Sequence, residues 1–448
     1  MKNWQFMKIP FLSIFFFILS LAPVAGQESE ETQVNYSMDT TFAESDKKLK
    51  ERNTLTGNWG GLRTKLKDKG LIFKGSFTNF YQGMVSGEGD NGFEFGSKFA
   101  FTTIFNGEKI GLWKGFFAIA RMEYNMGESV NSRGGTLLPV NTALAYPGME
   151  GADRWDMNFY LIQFLSKTDK VVFGKINNID LSNFSSFGGG LGLKNFYHQA
   201  LVSPPNAITV PYVFGAYYMS SNEKRDLTFA VYDSNSRVNK MGFDGLFEDG
   251  VTFFGSFDLV TNFFGKKGKQ GILGAYSTKD VRNTDDIEDF FPPNGNFIGE
   301  KGNRWVLTYF FEQALYQNRE NPKQAFGLFG QFGFTDGVGS LSDLYMVLGL
   351  GGNSPITKRP RDKWGIGYFN YSLSDGVSEL DIPSIPGIYP GLTMSNGESG
   401  FEVFYEAWLT RWISLGLDYQ YVSPGIESVQ GVSNTGVSFL GFRSMIRL

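Results

Sequence analysis

The chain has 448 residues, with 41 Lys and Arg against 45 Asp and Glu for a net charge of −4, no cysteine and a single histidine, His198. These counts exclude disulfides, thiolate chemistry, cysteine metal sites and multi-histidine metal centres, and the mildly acidic balance carries no nucleic-acid-binding signature. Aromatics reach 16%, yet charged residues are only 19% and mean hydropathy is −0.19, too polar for a bundle of membrane helices and suited to a barrel whose lipid-facing aromatics offset a polar lumen.

Residues 1–26 carry Lys2 and Lys8, the apolar run Phe11 to Leu21, and small residues at Ala22, Ala25 and Gly26. That pattern predicts a secretory signal peptide, cut near Ala25 or Gly26, because the apolar run is too short to span a bilayer as an anchor. Its loss leaves 39 basic residues against 45 acidic ones. Residues 27–54 are polar and rich in acids (Glu28, Glu30, Glu31, Asp39, Glu44, Asp46) and are expected to form a mobile periplasmic segment. A short helix is expected over 60–69, since Leu62 and Leu66 lie four apart, Thr56 or Asn58 suits the N-cap and Gly70 the C-terminal cap. Trp59 and the Leu62/Leu66 face are then expected to pack on the base of the following domain.

From residue 55 to 448 one domain is expected, and past the helix it reads as strand. Amphipathic runs of period two fall at 71–82, 92–105, 112–125, 156–166, 169–175, 210–220, 225–234, 250–262, 269–277, 303–315, 325–336, 343–351, 363–372, 399–409, 411–422 and 435–447. Sixteen runs, most near the nine to eleven residues that cross a bilayer, predict an all-β transmembrane antiparallel barrel. Short turns such as 167–168 and Thr410 alternate with long loops such as 126–155 and 176–209, so both termini are expected on the periplasmic side. No repeat of propeller length is visible, and the strands are long for a soluble sandwich. Trp113, Trp364, Trp408 and Trp412 fall near the periplasmic strand ends, where interfacial aromatics collect.

Several stretches resemble the OprB-type carbohydrate-selective porins. They are GNWGGLR within Leu55 to Phe73, GLFGQFGF and KRPRDKWGIGYF, FYEAWLTRWISLGLDYQYVSPG, and the closing GFRSMIRL. The resemblance implies an outer-membrane channel of a Gram-negative bacterium that passes mono- and small oligosaccharides by passive diffusion, without cofactor or metal. It also implies contact with outer-membrane lipid and lipopolysaccharide; a homotrimer and a monomer both fit. A general, weakly selective porin for small solutes is the alternative within the class.

Alternation sorts the wall. If the apolar neighbours face lipid, then Arg121, Glu123, Arg304, Glu312, Glu402, Glu406, Asp418 and Arg443 line the pore, a mixture of signs that suits neutral, hydroxylated solutes. For each of them singly, mutual neutralisation within the wall is the plainer reading. The third external loop, 176–209, is long enough to be functional and is expected to fold inward, bringing Lys194, Asn195, Tyr197 and His198 to a constriction; Arg154 and Trp155 in loop 126–155 are further candidates. Against an enzyme, GGGLG at 188–192 lacks the strand–helix setting of a nucleotide site. The acids Asp285, Asp286, Glu288 and Asp289 match no calcium loop. An outer-membrane lipid hydrolase using His198 with Ser203 or Ser220 is the alternative from another class, although no residue is placed to orient that imidazole.

Overall fold

Strict alternation builds the strands. In Ile413–Ser423, Leu415, Leu417, Tyr419 and Tyr421 are 47, 49, 38 and 37% exposed, while Ser414, Asp418 and Gln420 between them are at most 1% exposed. A period of two puts every second side chain on one face, and here the apolar face is the outer one. That inverts a soluble protein and demands apolar surroundings. The computed structural model describes residues 48–448 apart from 132, 182–184, 191, 204–207, 283–299, 323, 383–390, 430–431 and 434. The expected signal peptide, residues 27–47 and the acidic stretch from Asp285 to Asp289 therefore lie outside the described residues.

The strands are β1 Leu71–Ser86, β2 Phe93–Asn106, β3 Phe116–Gly127, β4 Trp155–Phe164, β5 Asp169–Asn177, β6 Tyr212–Ser221, β7 Arg225–Asp233, β8 Val251–Phe263, β9 Lys266–Ser277, β10 Arg304–Gln317, β11 Ala325–Thr335, β12 Ser342–Asn353, β13 Lys363–Leu373, β14 Gly397–Trp408, β15 Ile413–Ser423 and β16 Val437–Arg447. Each pairs antiparallel with its neighbours in sequence, and β16 returns to β1 with Ser76 opposite Arg447 and Phe80 opposite Arg443. The barrel closes, so no backbone edge is left unpaired. All sixteen expected runs coincide with these strands, most boundaries moving by one to three residues.

Connections at the end where β1 starts, the turn end, are short: 165–168, 222–224 and 264–265 among them. Those at the opposite, loop end include 128–154, 178–211, 234–250 and 374–396. Four short strands, Asp381–Ile382, Leu392–Met394, Ile426–Val429 and Val432–Ser433, join loops 374–396 and 424–436 into a small sheet there. The Ile426 N–H donates to the Gly135 carbonyl, tying that sheet to loop 128–154.

Helix α1, Leu62–Asp68, sits at the turn end. Gly60 and Gly61 precede it at φ of 64° and 94°, a left-handed bend that glycine adopts without strain. The Asn58 side chain accepts from the Thr64 N–H at 3.0 Å. Of the expected contacts, Trp59 packs on Phe73 of β1 with ring centroids 6.0 Å apart, but Leu62 is exposed and the neighbouring Arg63 is buried instead. Its guanidinium donates to Thr54 Oγ1 at 2.8 Å and to the carbonyls of Phe73 and Leu448 at 3.0 and 2.9 Å. One buried cation with five donors ties the approach segment, β1 and the end of β16 together, which a leucine face cannot do. Residues 48–54, expected to be mobile, are held as well: the Trp412 indole donates to the Leu49 carbonyl at 2.8 Å, and Arg411 donates to Asn53 at 3.2 Å.

Candidate functional site

Two long loops fold into the barrel. In loop 178–211, Phe196, His198, Ala200, Leu201 and Val202 are buried against inward-facing Phe329, Phe369 and Phe404 of β11, β13 and β14, and Tyr197 against Phe80 of β1. Room for them comes from missing side chains. A Cβ on Gly365 would lie 2.8 Å from the Phe196 ring, and one on Gly367 would lie 2.8 Å from the Leu201 side chain. Loop 128–154 lies beside it, with Val140, Ala143 and Leu144 buried. The two are stitched together, since the Thr142 N–H donates to the Tyr197 carbonyl at 2.8 Å and the Gln199 N–H to the Pro139 carbonyl at 2.9 Å.

Charged wall residues hold these loops by their backbone. Glu402 accepts the N–H groups of Tyr197 and His198 at 2.5 and 2.8 Å, one on each oxygen. Glu312 takes three donors from Ser185 and Ser186 at 2.8 to 3.0 Å. Arg443 pairs with Glu406 at 2.6 Å and donates to the carbonyls of Gly192 and Asn195 at 2.9 and 3.1 Å, with its guanidinium over the Tyr197 ring at 4.5 Å. Gln420 donates to the Val140 carbonyl at 3.0 Å and to Asp418 at 2.8 Å. On the other loop, Lys98 reaches the Tyr146 carbonyl and Glu123 at 2.5 and 3.0 Å, and Asn125 donates to the carbonyls of Leu144, Tyr146 and Gly148. A buried backbone group left without a partner costs about 1–3 kcal/mol, so these bonds specify where each loop lies.

All eight wall residues singled out from the sequence, Arg121, Glu123, Arg304, Glu312, Glu402, Glu406, Asp418 and Arg443, stand on inward faces. Six of them are buried, and only Arg121 and Glu312 keep a moderate exposed surface. Arg121 is paired with Glu123 at 3.1 Å, and Arg304 is covered at the loop-end start of β10. Among the loop candidates, Lys194 is exposed inside the barrel, whereas Asn195, Tyr197 and His198 are buried. The His198 ring stacks on Phe369 at 4.2 Å, and its Nδ1 accepts the Ala200 N–H at 3.2 Å, capping the short helix Gln199–Val202. Burial holds its pKa down to about 3, so the ring is neutral. Arg154 is half-buried in a single 3₁₀ turn. Trp155 is a correction: it opens β4, and the alternation that puts Asp156, Asn158 and Tyr160 inside puts Trp155 outside, beside Phe99 and Tyr124 on the outer face. Trp408 is another, since its position in β14 turns the indole inward beneath Arg447, 4.2 Å from the guanidinium.

Lys98, Asn125 and Glu398 complete the set of loop-holding groups. Glu398 accepts from the N–H groups of Leu137, Leu138 and Gly425 and from the Tyr371 hydroxyl. The four-residue spacing of Glu398, Glu402 and Glu406 carried that signal in the sequence, but a strand begun at 399 leaves Glu398 out.

A closed, sixteen-stranded barrel with an apolar outer face, a polar inner face and long loops turned into the interior is a porin. The chain belongs to the OprB family of carbohydrate-selective porins, whose model matches residues 62–448. It is an outer-membrane carbohydrate porin of a Gram-negative bacterium, a passive channel and not a hydrolase. A structure of Pseudomonas putida OprB at high pH has the same fold, with a TM-score of 0.74 at 18% identity over 90% of this chain and 100% of that one. A low-pH structure of the same porin gives a TM-score of 0.51 at 13% identity over 89% and 99%. No curated protein matches the chain.

Proposed function

We propose that small carbohydrates, mono- and small oligosaccharides, diffuse through the space between the two infolded loops and the wall they leave uncovered. The observation that carries this reading is the backbone anchoring of loop 178–211 by Glu402, Glu312 and Arg443, which supports a loop held inside the barrel rather than a flexible flap. Ser76, Thr102, Thr228 and Ser256 stand half-buried on inward faces of β1, β2, β7 and β8, where their hydroxyls exchange donors and acceptors with a passing sugar. The barrel closes within one chain, so each copy conducts alone, whether it stands as a monomer or in a homotrimer. The turn end, with α1 and Leu448, faces the periplasm, because short connections mark that side of such barrels; the outer face meets lipid and lipopolysaccharide. Residues 1–26 act as the export signal and residues 55–448 as the channel.

Liposome swelling with a size series of neutral sugars and size-matched amino acids tests the reading. Monosaccharides are expected to enter fastest, with rates falling steeply for larger sugars. Equal rates for sugars and amino acids of the same size favour the general, weakly selective porin instead.

A further inference from the structure

The inner wall is not evenly charged. Around β13 to β16 and β1 to β3 the inward carboxylates are engaged, and apart from Glu94, which pairs with Arg133 near the loop end and keeps 30% of its surface, they are covered. Glu123 lies between Lys98 and Arg121, Glu406 is paired with Arg443, Glu402 holds two backbone N–H groups and Asp418 accepts from Gln420, all four at most 1% exposed. The cations near them keep surface on the lumen: Lys74, Arg121, Lys363 and Arg447 are partly exposed, and Lys194 keeps more surface although it stands enclosed within the barrel.

These cations form one group. Lys74 stands opposite Thr102, which stands opposite Arg121, and Arg447 is opposite Ser76, next inward residue to Lys74 on β1. Lys363 donates to the Asn195 side chain at 3.2 Å, beside Lys194 in the loop. The backbone of Lys194 is pinned on both sides, since Arg443 holds the carbonyls of Gly192 and Asn195. Arg447, Lys363, Lys74 and Arg121 all lie close enough to act on the Lys194 charge; with desolvation as the larger cause, they hold its pKa down to about 8. Like charges gathered round a low-dielectric passage repel one another, and they concentrate an anion there. On the far side of the ring, β7 to β9 place Lys269 between Asp226 and Asp258 at 2.8 and 2.5 Å, with Lys170 of β5 also near Asp226, so that carboxylates and ammoniums balance there. The cationic sector is thus confined to the side that carries Lys194.

We propose that the channel favours carbohydrates bearing an anionic group, a carboxylate or a phosphate, over neutral ones, using Lys74, Arg121, Lys194, Lys363 and Arg447 as the recognising sector. This deepens the carbohydrate-channel reading and rests on it.

The test is made on the full-length porin in planar bilayers and proteoliposomes. Under a KCl gradient the reversal potential is expected to report chloride passing in preference to potassium. Gluconate and glucose 6-phosphate are expected to enter faster than glucose; field focusing of this kind raises entry by about tenfold or more, and the two probes separate carboxylate from phosphate recognition. Lys194→Gln, which removes the charge and keeps a polar side chain, is expected to lower the gluconate-to-glucose ratio, and Lys194→Glu to lower it further. Wild-type protein that passes glucose but shows potassium preference, or a gluconate-to-glucose ratio at or below unity, overturns the inference while leaving the sugar channel standing. Failure to pass glucose at all sinks the channel reading itself, and the chloride preference is then the separate result that decides the charge inference.

Discussion

The two sides of the barrel interior are built on different chemistry. From β11 round to β16 the inward face is a platform: Phe329, Val347, Phe369, Tyr371, Phe404, Val422 and Phe439 are buried under the loops, with Glu402, Glu406 and Arg443 set among them to take up backbone groups. On the turn-end half of β7 to β9 the inward face carries Asp226, Thr228, Ser256 and Lys269, none of them under a loop platform of this kind. A buried charge on the first side is a structural part whose loss moves a loop. A polar group on the second side keeps exposed surface, and its substitution is expected to show in solute flux and not in the position of a loop. The same residue type therefore has opposite consequences on the two sides, and substitution separates them.

The largest effect is expected at Arg443. Arg443→Met strips the buried Glu406 of its counter-charge and the loop of two bonds, and breaking such a pair costs about 3–5 kcal/mol. A lower unfolding temperature of the detergent-solubilised barrel checks this. Part of the loss should return in Arg443→Met with Glu406→Gln, because the double change removes the stranded charge; no recovery at all would mean that the loop bonds, and not the ion pair, carry the stability.

Next in size is Glu402→Gln. An amide offers one acceptor where the carboxylate offers two, so one of the Tyr197 and His198 N–H groups loses its partner at a cost of about 1–3 kcal/mol. Single-channel recordings are expected to show a noisier and larger conductance as the loop lifts. Gly367→Val probes the same platform by volume alone: its Cβ meets Leu201, the loop is displaced without any change of charge, and the conductance should again rise. A conductance unchanged in both variants would mean that the loop does not bound the passage.

A smaller effect is expected from pH. Lys194 with its pKa near 8 is protonated at pH 7 and loses its proton as the pH rises to 9, so chloride preference should fall across that interval as the sector loses one positive charge. His198, held near 3 by burial, is neutral throughout and gives no step between pH 4 and 7; a step there that vanishes in His198→Gln would contradict its buried, stacked position. The smallest effect is expected on the open side, where Thr228→Ala and Ser256→Ala should change stability by no more than about 0.5 kcal/mol and be visible only in sugar flux.

Much of the barrel was legible because its code is local. Leu415, Leu417 and Tyr419 against Ser414, Gly416 and Asp418 specify a strand and both its faces within six residues, and the lengths of the connections set the up-and-down order. The inward position of Glu402, Asp418 and Arg443 follows from the same counting. Where the counting slipped by a residue or two, the site slipped with it: beginning β4 at 156 hid the outward turn of Trp155, and beginning β14 at 399 hid Glu398. At α1 the spacing of Leu62 and Leu66 pointed to an apolar contact, while the buried member was Arg63, whose partners Thr54, Phe73 and Leu448 no local pattern connects.

By itself, the sequence determined that this chain makes sixteen membrane-crossing strands with an apolar exterior, since a period of two is a property of neighbouring residues. Only the tertiary structure decided what the inner charges do. Glu402 meets Tyr197 across 205 positions of sequence, and Arg443 meets Gly192 across 251. Whether a carboxylate on the inner face meets water, a cation or a loop N–H depends on which loop the closed barrel brings over it, and closure is a property of all sixteen strands together.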